Sequence, residues 1–137
     1  MGSVIAARDL SKGRDPYRLL IYTAPEQAPP DAFSVNKPLA EKLYPLRPAA
    51  RTMRLEQCFR AILETLPSGA VIKDIDVMFH PDYRVDVLKI LIEANKTKPF
   101  AIVWPGAYSD GRLIYSEETL PDYKVFEIND YDVCCVV

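Results

Sequence analysis

The chain has 137 residues, of which 49% are apolar, so it has the length of one domain and enough apolar residues for a core. Its formal net charge of −2 argues against a non-specific nucleic-acid binder, which is normally basic. No apolar run approaches the roughly 18 residues of a transmembrane helix, and the first ten residues lack a signal-peptide core. We therefore expect a cytoplasmic protein without a membrane partner.

The N-terminal part predicts a leader followed by a strand. Residues 11–16 are polar and rich in breakers, so we predict a flexible leader over residues 1–16 and a single domain over residues 17–137. The segment from Tyr17 to Thr23 is aromatic and β-branched with little polar interruption. This composition predicts a strand that is buried on both faces.

Two helices are predicted next. A short helix is expected from Val35 to Tyr44, with Pro38 near its first turn. Thr52 is the predicted N-cap of a longer helix that ends before Pro67. Its apolar residues recur at helical spacing on one face, and they are Leu55, Cys58, Phe59, Ile62, Leu63 and Leu66.

Alternating strands and helices continue to Trp104. Residues 70–75 predict a strand that continues toward Phe79, a buried helix should open at Asp82 or Tyr83 and run to about Asn95, and residues 99–104 predict another buried strand. This order implies right-handed βαβ crossovers and a parallel sheet, and therefore an α/β fold.

The last third of the chain has a different pattern. Short strand-like segments separated by turns occur at Arg112–Ser116, Tyr123–Ile128 and Val133–Val137. We expect them to add antiparallel strands at one edge of the sheet.

The loop after the first predicted strand, Thr23 to Asp31, lacks the chemistry of a phosphate-binding loop. Such a loop needs glycines whose N–H groups converge on an anion, a lysine and a Ser or Thr beside magnesium. Here there is no Gly, Lys or Ser, while three prolines remove N–H donors and two carboxylates would repel phosphate. The sequence therefore predicts no cofactor at this loop.

Asp74, Asp76 and His80 form a candidate ligand or metal site near the end of the second predicted strand. Residues two apart point to the same side of a strand, so the two aspartates could act as a metal-binding or catalytic pair. His80 could be a general base oriented by a nearby carboxylate. The alternatives are a polar strand end for the aspartates and a capping or surface position for the histidine.

Two further groups of residues are candidate contact surfaces. Arg47, Arg51, Arg54 and Arg60 could form a basic patch for nucleic acid, the alternative being an ordinary solvated face. A candidate protein-interaction surface contains Trp104, Tyr108, Tyr115 and Tyr123, which could equally pack beneath the terminal strands.

The acidic residues concentrate late in the chain. Ten basic and seven acidic residues precede Pro67, whereas seven basic and twelve acidic residues occur from Pro67 onward. The C-terminal part could therefore dock a basic partner, or simply present a solvated acidic face. The three cysteines, Cys58, Cys134 and Cys135, form no CxxC or Cys/His cluster, so no zinc site is expected.

Four segments carry a resemblance to a known family. They are DIDVMFHP (74–81), AIVWPGAY (101–108), GRLIYSE (111–117) and PDYK (121–124). Their order, with a buried helix between the first two, resembles the BrxF family, the small P-loop proteins of bacteriophage-exclusion (BREX) defence systems. The stretch from Trp104 to Tyr123 is the most specific part of the resemblance.

The family pattern has a glycine-rich loop with Lys-Ser/Thr and a second strand that ends in a magnesium-binding acid. This chain departs from it at both points, since Lys73 occupies the acidic position when Phe79 and Pro81 are aligned. The resemblance thus implies a three-layer α/β fold, with a parallel sheet like that of P-loop NTPases and a degenerate nucleotide site. It also implies an accessory or scaffold role in antiphage defence, through protein partners or self-association.

Two other functions stay open. One is a nucleotide- or metal-binding enzyme, such as an ATPase, that uses Asp74, Asp76 and His80. The other is a nucleic-acid-binding component that uses the basic patch.

Overall fold

A computed structural model describes residues 2–12 and 18–137. Over these ranges the strands and helices, in chain order, are β1 (Ser3–Ile5), β2 (Leu19–Tyr22), β3 (Phe33–Ser34), α1 (Asn36–Leu43), α2 (Pro48–Glu64), β4 (Ala70–Lys73), α3 (Val87–Thr97), β5 (Phe100–Val103), β6 (Ala107–Ser109), β7 (Arg112–Tyr115), β8 (Lys124–Glu127) and β9 (Val133–Val136). Short 3-10 turns occupy Ala7–Lys12, Pro25–Gln27, Asp76–Phe79 and Ile128–Asp130.

Six strands form one parallel sheet in the order β1-β9-β2-β5-β4-β3. The central strand β2 pairs with β5 on one side, where Ile21 lies opposite Ile102, and with β9 on the other, where Ile21 lies opposite Cys135. All four residues of β2 and of β5 are buried. The predicted α/β class with a parallel sheet is therefore confirmed.

The two faces of the parallel sheet are covered differently. Leu19 and Ile21 belong to a large core that also contains the buried residues of α1, α2 and α3, whereas Leu20 and Tyr22 belong to a smaller cluster on the other face. That smaller cluster is covered by residues such as Leu10 and Ala28, from the 3-10 turn at 7–12 and the loop after β2. Within the described residues the three α-helices thus lie on one face, and the other face carries no α-helix, unlike the helical layer expected there in a three-layer fold.

The predicted antiparallel C-terminal strands are present, but β6, β7 and β8 form a separate three-stranded sheet. Leu113, Tyr115 and Phe126 of this second sheet join the large core, so it packs on the same face as the helices. The last strand is not part of it, because β9 inserts in parallel between β1 and β2. The pairing partner of a short apolar segment such as 133–137 is a long-range property that periodicity does not specify.

The N-terminal segment contributes an edge strand. Ser3–Ile5, within the stretch expected to be a leader, pairs in parallel with β9 and receives a hydrogen bond from Val137 N at Ile5 O. The expected boundary between leader and domain at residues 16 and 17 lies outside the described residues. The first residue of the predicted strand, Tyr17, lies outside them as well.

Three element boundaries differ from the sequence prediction for local reasons. α2 begins at Pro48 rather than after Thr52, since proline is well suited to the first helical position. β4 ends at Lys73, because Asp74 takes a left-handed conformation (φ 53°). α3 begins at Val87 rather than at Asp82 or Tyr83, because Asp86 is its N-cap. The Asp86 side chain accepts a hydrogen bond from the Lys89 N–H.

Candidate functional site

A shallow cavity lies at the carboxyl ends of β2, β4 and β5, the edge where open parallel sheets bind ligands. Its volume is about 390 Å³. Residues from the ends of β4 and β5 and from the loops after β2, β4 and β5 line it, namely Pro25, Lys73, Asp74, Asp76, Val103, Trp104, Pro105 and Gly106. In a P-loop protein this edge would hold the phosphates, so its donors and carboxylates decide what it can bind.

Several backbone N–H groups of the loop after β2 are already hydrogen-bonded within the protein. The Ala24 N–H donates to the Gln27 side-chain oxygen at 3.1 Å, the Gln27 N–H to the Ala24 carbonyl, and the Ala28 N–H to the Pro25 carbonyl. Thr23 donates both its N–H and its hydroxyl to the Val136 carbonyl, the latter at 2.6 Å. A phosphate cradle needs N–H groups that converge on an anion, and these are already committed.

Asp76 is a structural acceptor. Its Oδ1 accepts a hydrogen bond from the Tyr115 hydroxyl at 3.1 Å, and its Oδ2 accepts one from Asn36 Nδ2 at 3.2 Å. Asn36 also accepts the Val77 N–H at 2.8 Å. This network ties the start of α1, the 3-10 turn at 76–79 and β7 together. Burial, reinforced by the Asp76 carboxylate, raises the pKa of Tyr115 well above its ordinary value of 10.0.

Asp74 does not lie on a strand with Asp76. It follows the last residue of β4 in a left-handed conformation, and Asp76 opens a 3-10 turn, so the expectation that both project from the same side of one strand is wrong. Asp74 Oδ2 accepts a hydrogen bond from the Ser34 hydroxyl at 2.7 Å, which links the ends of β3 and β4. Asp74 and Asp76 still line the same cavity, but each is held by its own partners.

His80 lies apart from the two aspartates. It lines a different cavity, with Arg51, Tyr44 and Tyr83, and its Nδ1 accepts a hydrogen bond from the Asp82 N–H at 3.1 Å. The 3-10 turn at 76–79 separates it along the chain from the end of β4. The predicted triad of Asp74, Asp76 and His80 is thus not assembled as one site. Over residues 2–12 and 18–137, no group of three or more His, Cys, Asp and Glu side chains is placed to hold a metal ion.

The predicted aromatic surface is divided between core and periphery. Trp104 is 2% exposed, donates its indole N–H to the Ile114 carbonyl at 3.0 Å and packs edge-on against Phe79. Tyr115 is also buried and stacks on Phe79 with ring centres 4.0 Å apart. Both join the second sheet to the core and cannot form a contact surface. Tyr108 and Tyr123 are half-buried.

The four arginines of the predicted basic patch have different surroundings. Arg51 donates to the carbonyls of Leu43, Leu46 and Tyr44, and so stabilises the corner between α1 and α2. Arg60 donates to the Thr97 hydroxyl and lies 3.6 Å from the Glu56 carboxylate. Arg47 and Arg54 are exposed. Two of the four are therefore engaged within the chain, which leaves a smaller basic surface than the sequence suggested.

The sequence analysis missed a groove between α2 and α3. Met53 is 85% exposed at its wall, and the groove has a volume of about 360 Å³. The residues that line it are Thr52, Met53, Glu56, Val85, Asp86, Lys89, Ile90 and Glu93. The sequence feature that could have indicated the groove is Met53. It is an apolar residue on the polar side of a helix whose buried stripe contains Leu55, Phe59 and Ile62.

Helices in the described part of the chain are too short or too polar to cross a membrane. Comparison with protein-family models, with curated proteins and with solved structures found no match to this chain.

Proposed function

We propose that this chain is a catalytically inactive, P-loop-like accessory or scaffold protein that acts through contacts with a protein partner. The observation that carries the proposal is that polar groups at the cavity beside the carboxyl ends of β2, β4 and β5, the strand-end cavity, are already hydrogen-bonded within the protein. The aspartates of the cavity accept hydrogen bonds from Ser34, Asn36 and Tyr115. In the adjoining loop, the N–H groups of Ala24, Gln27 and Ala28 bond within the loop. A nucleotide and its magnesium ion would have to displace these bonds.

The groove between α2 and α3 supports the contact role. An exposed thioether such as that of Met53 favours adaptable protein contacts, and Val85 and Ile90 extend the apolar surface beside it. Among the described residues that line the groove, Glu56, Asp86 and Glu93 are acidic and Lys89 is the one cation. We expect the partner segment to insert an apolar side chain and to carry basic residues on either side.

The setting of this function, a bacterial antiphage defence system, rests on the BrxF resemblance of the Trp104–Tyr123 region and its neighbours. The chain departs from that family at the positions of the two nucleotide-binding motifs. An accessory protein that does not hydrolyse ATP fits both the resemblance and the missing motifs.

A first experiment tests inactivity. Purified protein is assayed for ATP hydrolysis and for thermal stabilisation by ATP and ADP, each with and without Mg²⁺. We expect no hydrolysis and no Mg²⁺-dependent stabilisation, whereas a ligand at about 100 times its dissociation constant would add roughly 2.7 kcal/mol to the stability of a binding-competent protein. Mg²⁺-dependent hydrolysis that Asp74→Asn abolishes would overturn the proposal.

A second experiment tests the contact surface in cells. The gene is deleted from its natural genomic setting, and phage protection is measured after complementation. Wild type and Asp74→Asn should restore protection, while Met53→Asp should not, because the substitution removes the apolar contact of Met53 and would desolvate a carboxylate against the apolar side chain of the partner. Leu120→Asp, at a residue 47% exposed elsewhere, is the matched control and should restore it. Full rescue by Met53→Asp would show that the groove is not the contact surface.

A further inference from the structure

A second cavity, distinct from the strand ends, lies between the α1–α2 corner and the turn at residues 80–83; we call it the Tyr83 cavity. Its volume is about 570 Å³, within the range of small-molecule sites. It is lined by Tyr44, Pro48, Arg51, His80, Asp82 and Tyr83. Aromatic rings and hydrogen-bond donors therefore meet in one concave place.

The Tyr83 hydroxyl has no hydrogen-bond partner among the residues that the structure describes. Tyr83 is only 5% exposed, yet it lines the cavity. Buried tyrosines normally pair their hydroxyl, because leaving it unpaired costs free energy. Since Tyr83 lines the cavity, its hydroxyl is available to hydrogen-bond a polar ligand there.

Arg51 and His80 each offer a further donor. Arg51 uses Nε and Nη2 for the carbonyls at the α1–α2 corner, which fixes the guanidinium in place and leaves Nη1 without a partner among the described residues. His80 accepts the Asp82 N–H at Nδ1, so the proton of its neutral ring is on Nε2. A fixed guanidinium, an imidazole N–H and a phenol hydroxyl together suit an oxyanion with several oxygens, such as a phosphate monoester.

The rim of the cavity suits a flat ring. The Tyr44 ring is 59% exposed, and the Arg51 guanidinium lies over it, 5.4 Å from its centre. The His80 and Tyr83 rings lie 5.1 Å apart. Aromatic and guanidinium surfaces of this kind stack on nucleic-acid bases without selecting among them. Among the described residues of the lining, the one carboxylate is that of Asp82, whose side chain is 85% exposed, where water screens its charge.

We propose that the Tyr83 cavity binds a nucleoside monophosphate, with the phosphate held by Arg51, His80 and Tyr83 and the base stacked at Tyr44. This goes beyond the proposed scaffold function, since it adds a ligand site away from the strand ends. Ligand binding there would stabilise the α1–α2 corner, because Arg51 both bonds to the carbonyls of that corner and lines the cavity.

The test measures binding of AMP, GMP, CMP and UMP by calorimetry, with adenosine and inorganic phosphate as half-ligands. We expect saturable binding of at least one monophosphate, independent of Mg²⁺, and weaker binding of each half. Tyr83→Phe should weaken binding about tenfold or more without lowering the melting temperature, because the hydroxyl it removes bonds to nothing within the described chain. His80→Asn should also weaken binding, since the asparagine oxygen still accepts the Asp82 N–H but Nε2 is lost.

Asp74→Asn is the matched control and should leave binding unchanged. Absence of binding by all four monophosphates at millimolar concentration would overturn the inference, and so would binding that Tyr83→Phe does not change. If binding instead required Mg²⁺ and failed in Asp74→Asn, the ligand would lie at the strand ends, and the proposed function would fail with the inference. Failure of the Tyr83 cavity alone leaves the scaffold proposal standing.

Discussion

Asp76 shows how one residue decides the chemistry of the strand-end cavity. A carboxylate at this place in the fold could hold a metal, but both oxygens of Asp76 accept hydrogen bonds from side chains of neighbouring elements. One of these donors, Tyr115, is buried at 8% exposure. The carboxylate therefore stabilises the fold, and replacing it should lower the free energy of unfolding.

Replacing Asp76 by alanine should lower the free energy of unfolding by about 1–3 kcal/mol, because a buried phenol hydroxyl and an amide lose their acceptor. Urea unfolding measures the change. Asp74→Asn is the control and should stay within about 0.5 kcal/mol of wild type, since asparagine tolerates the left-handed conformation and can accept from Ser34. Equal stability of Asp76→Ala and wild type would contradict the structural role.

At the scale of elements, the start of α3 is joined to the segment before β9. Asp86 accepts the Lys89 N–H at 3.1 Å through Oδ1 and the Tyr131 hydroxyl at 2.7 Å through Oδ2. One side chain thus caps a helix and connects it to a segment 45 residues later. The cap and the connection should be energetically coupled.

A double-mutant cycle on Asp86 and Tyr131 tests this coupling. Asp86→Ala should cost about 1–3 kcal/mol, from the lost cap and the unpaired phenol, and Tyr131→Phe should cost less. The double variant should be less destabilised than the sum of the single variants, since both remove the same hydrogen bond. Asp86→Asn, which keeps a cap acceptor, is the control; strict additivity would show that Tyr131 and Asp86 act independently.

At the scale of the whole molecule, side chains whose pKa values are raised by folding should make the stability of the fold sensitive to alkaline pH. Burial, then the bonded carboxylates of Asp76 and Asp86, raise the pKa values of Tyr115 and Tyr131 above their ordinary 10.0. Burial raises the pKa of Cys135 from 9.0 to about 12. These groups keep their protons in the folded chain at a pH where the unfolded chain has lost them.

Stability should therefore be unaffected by these groups below about pH 9 and should fall as the pH rises from there, first through Cys135 and then, above about pH 10, through both tyrosines. Each group that ionises only in the unfolded chain adds about 1.4 kcal/mol of loss per pH unit. Urea unfolding between pH 8 and 11 measures this slope, and recovery at pH 8 excludes chemical damage. Tyr131→Phe should reduce the slope above pH 10; an unchanged slope would contradict the assignment.

The sequence by itself determined the elements whose signals are local. The apolar stripe through Leu55, Phe59 and Ile62 defines α2, and the continuous apolar run in Phe100–Val103 defines a strand buried on both faces. The absence of a phosphate-binding loop after β2 is equally local, because it depends only on which residues are present. Local residue types were therefore enough to predict the α/β class and to show that the loop after β2 lacks a phosphate-binding motif.

Only the tertiary structure decided which distant residues meet. It placed β9 between β1 and β2, buried Trp104 and Tyr115, separated His80 from Asp74 and Asp76, and brought His80 beside Arg51 and Tyr83. Each of these depends on strand pairing and packing between segments far apart in the chain, which local periodicity does not encode. A single left-handed residue, Asp74, was enough to end β4 and redirect the residues that follow.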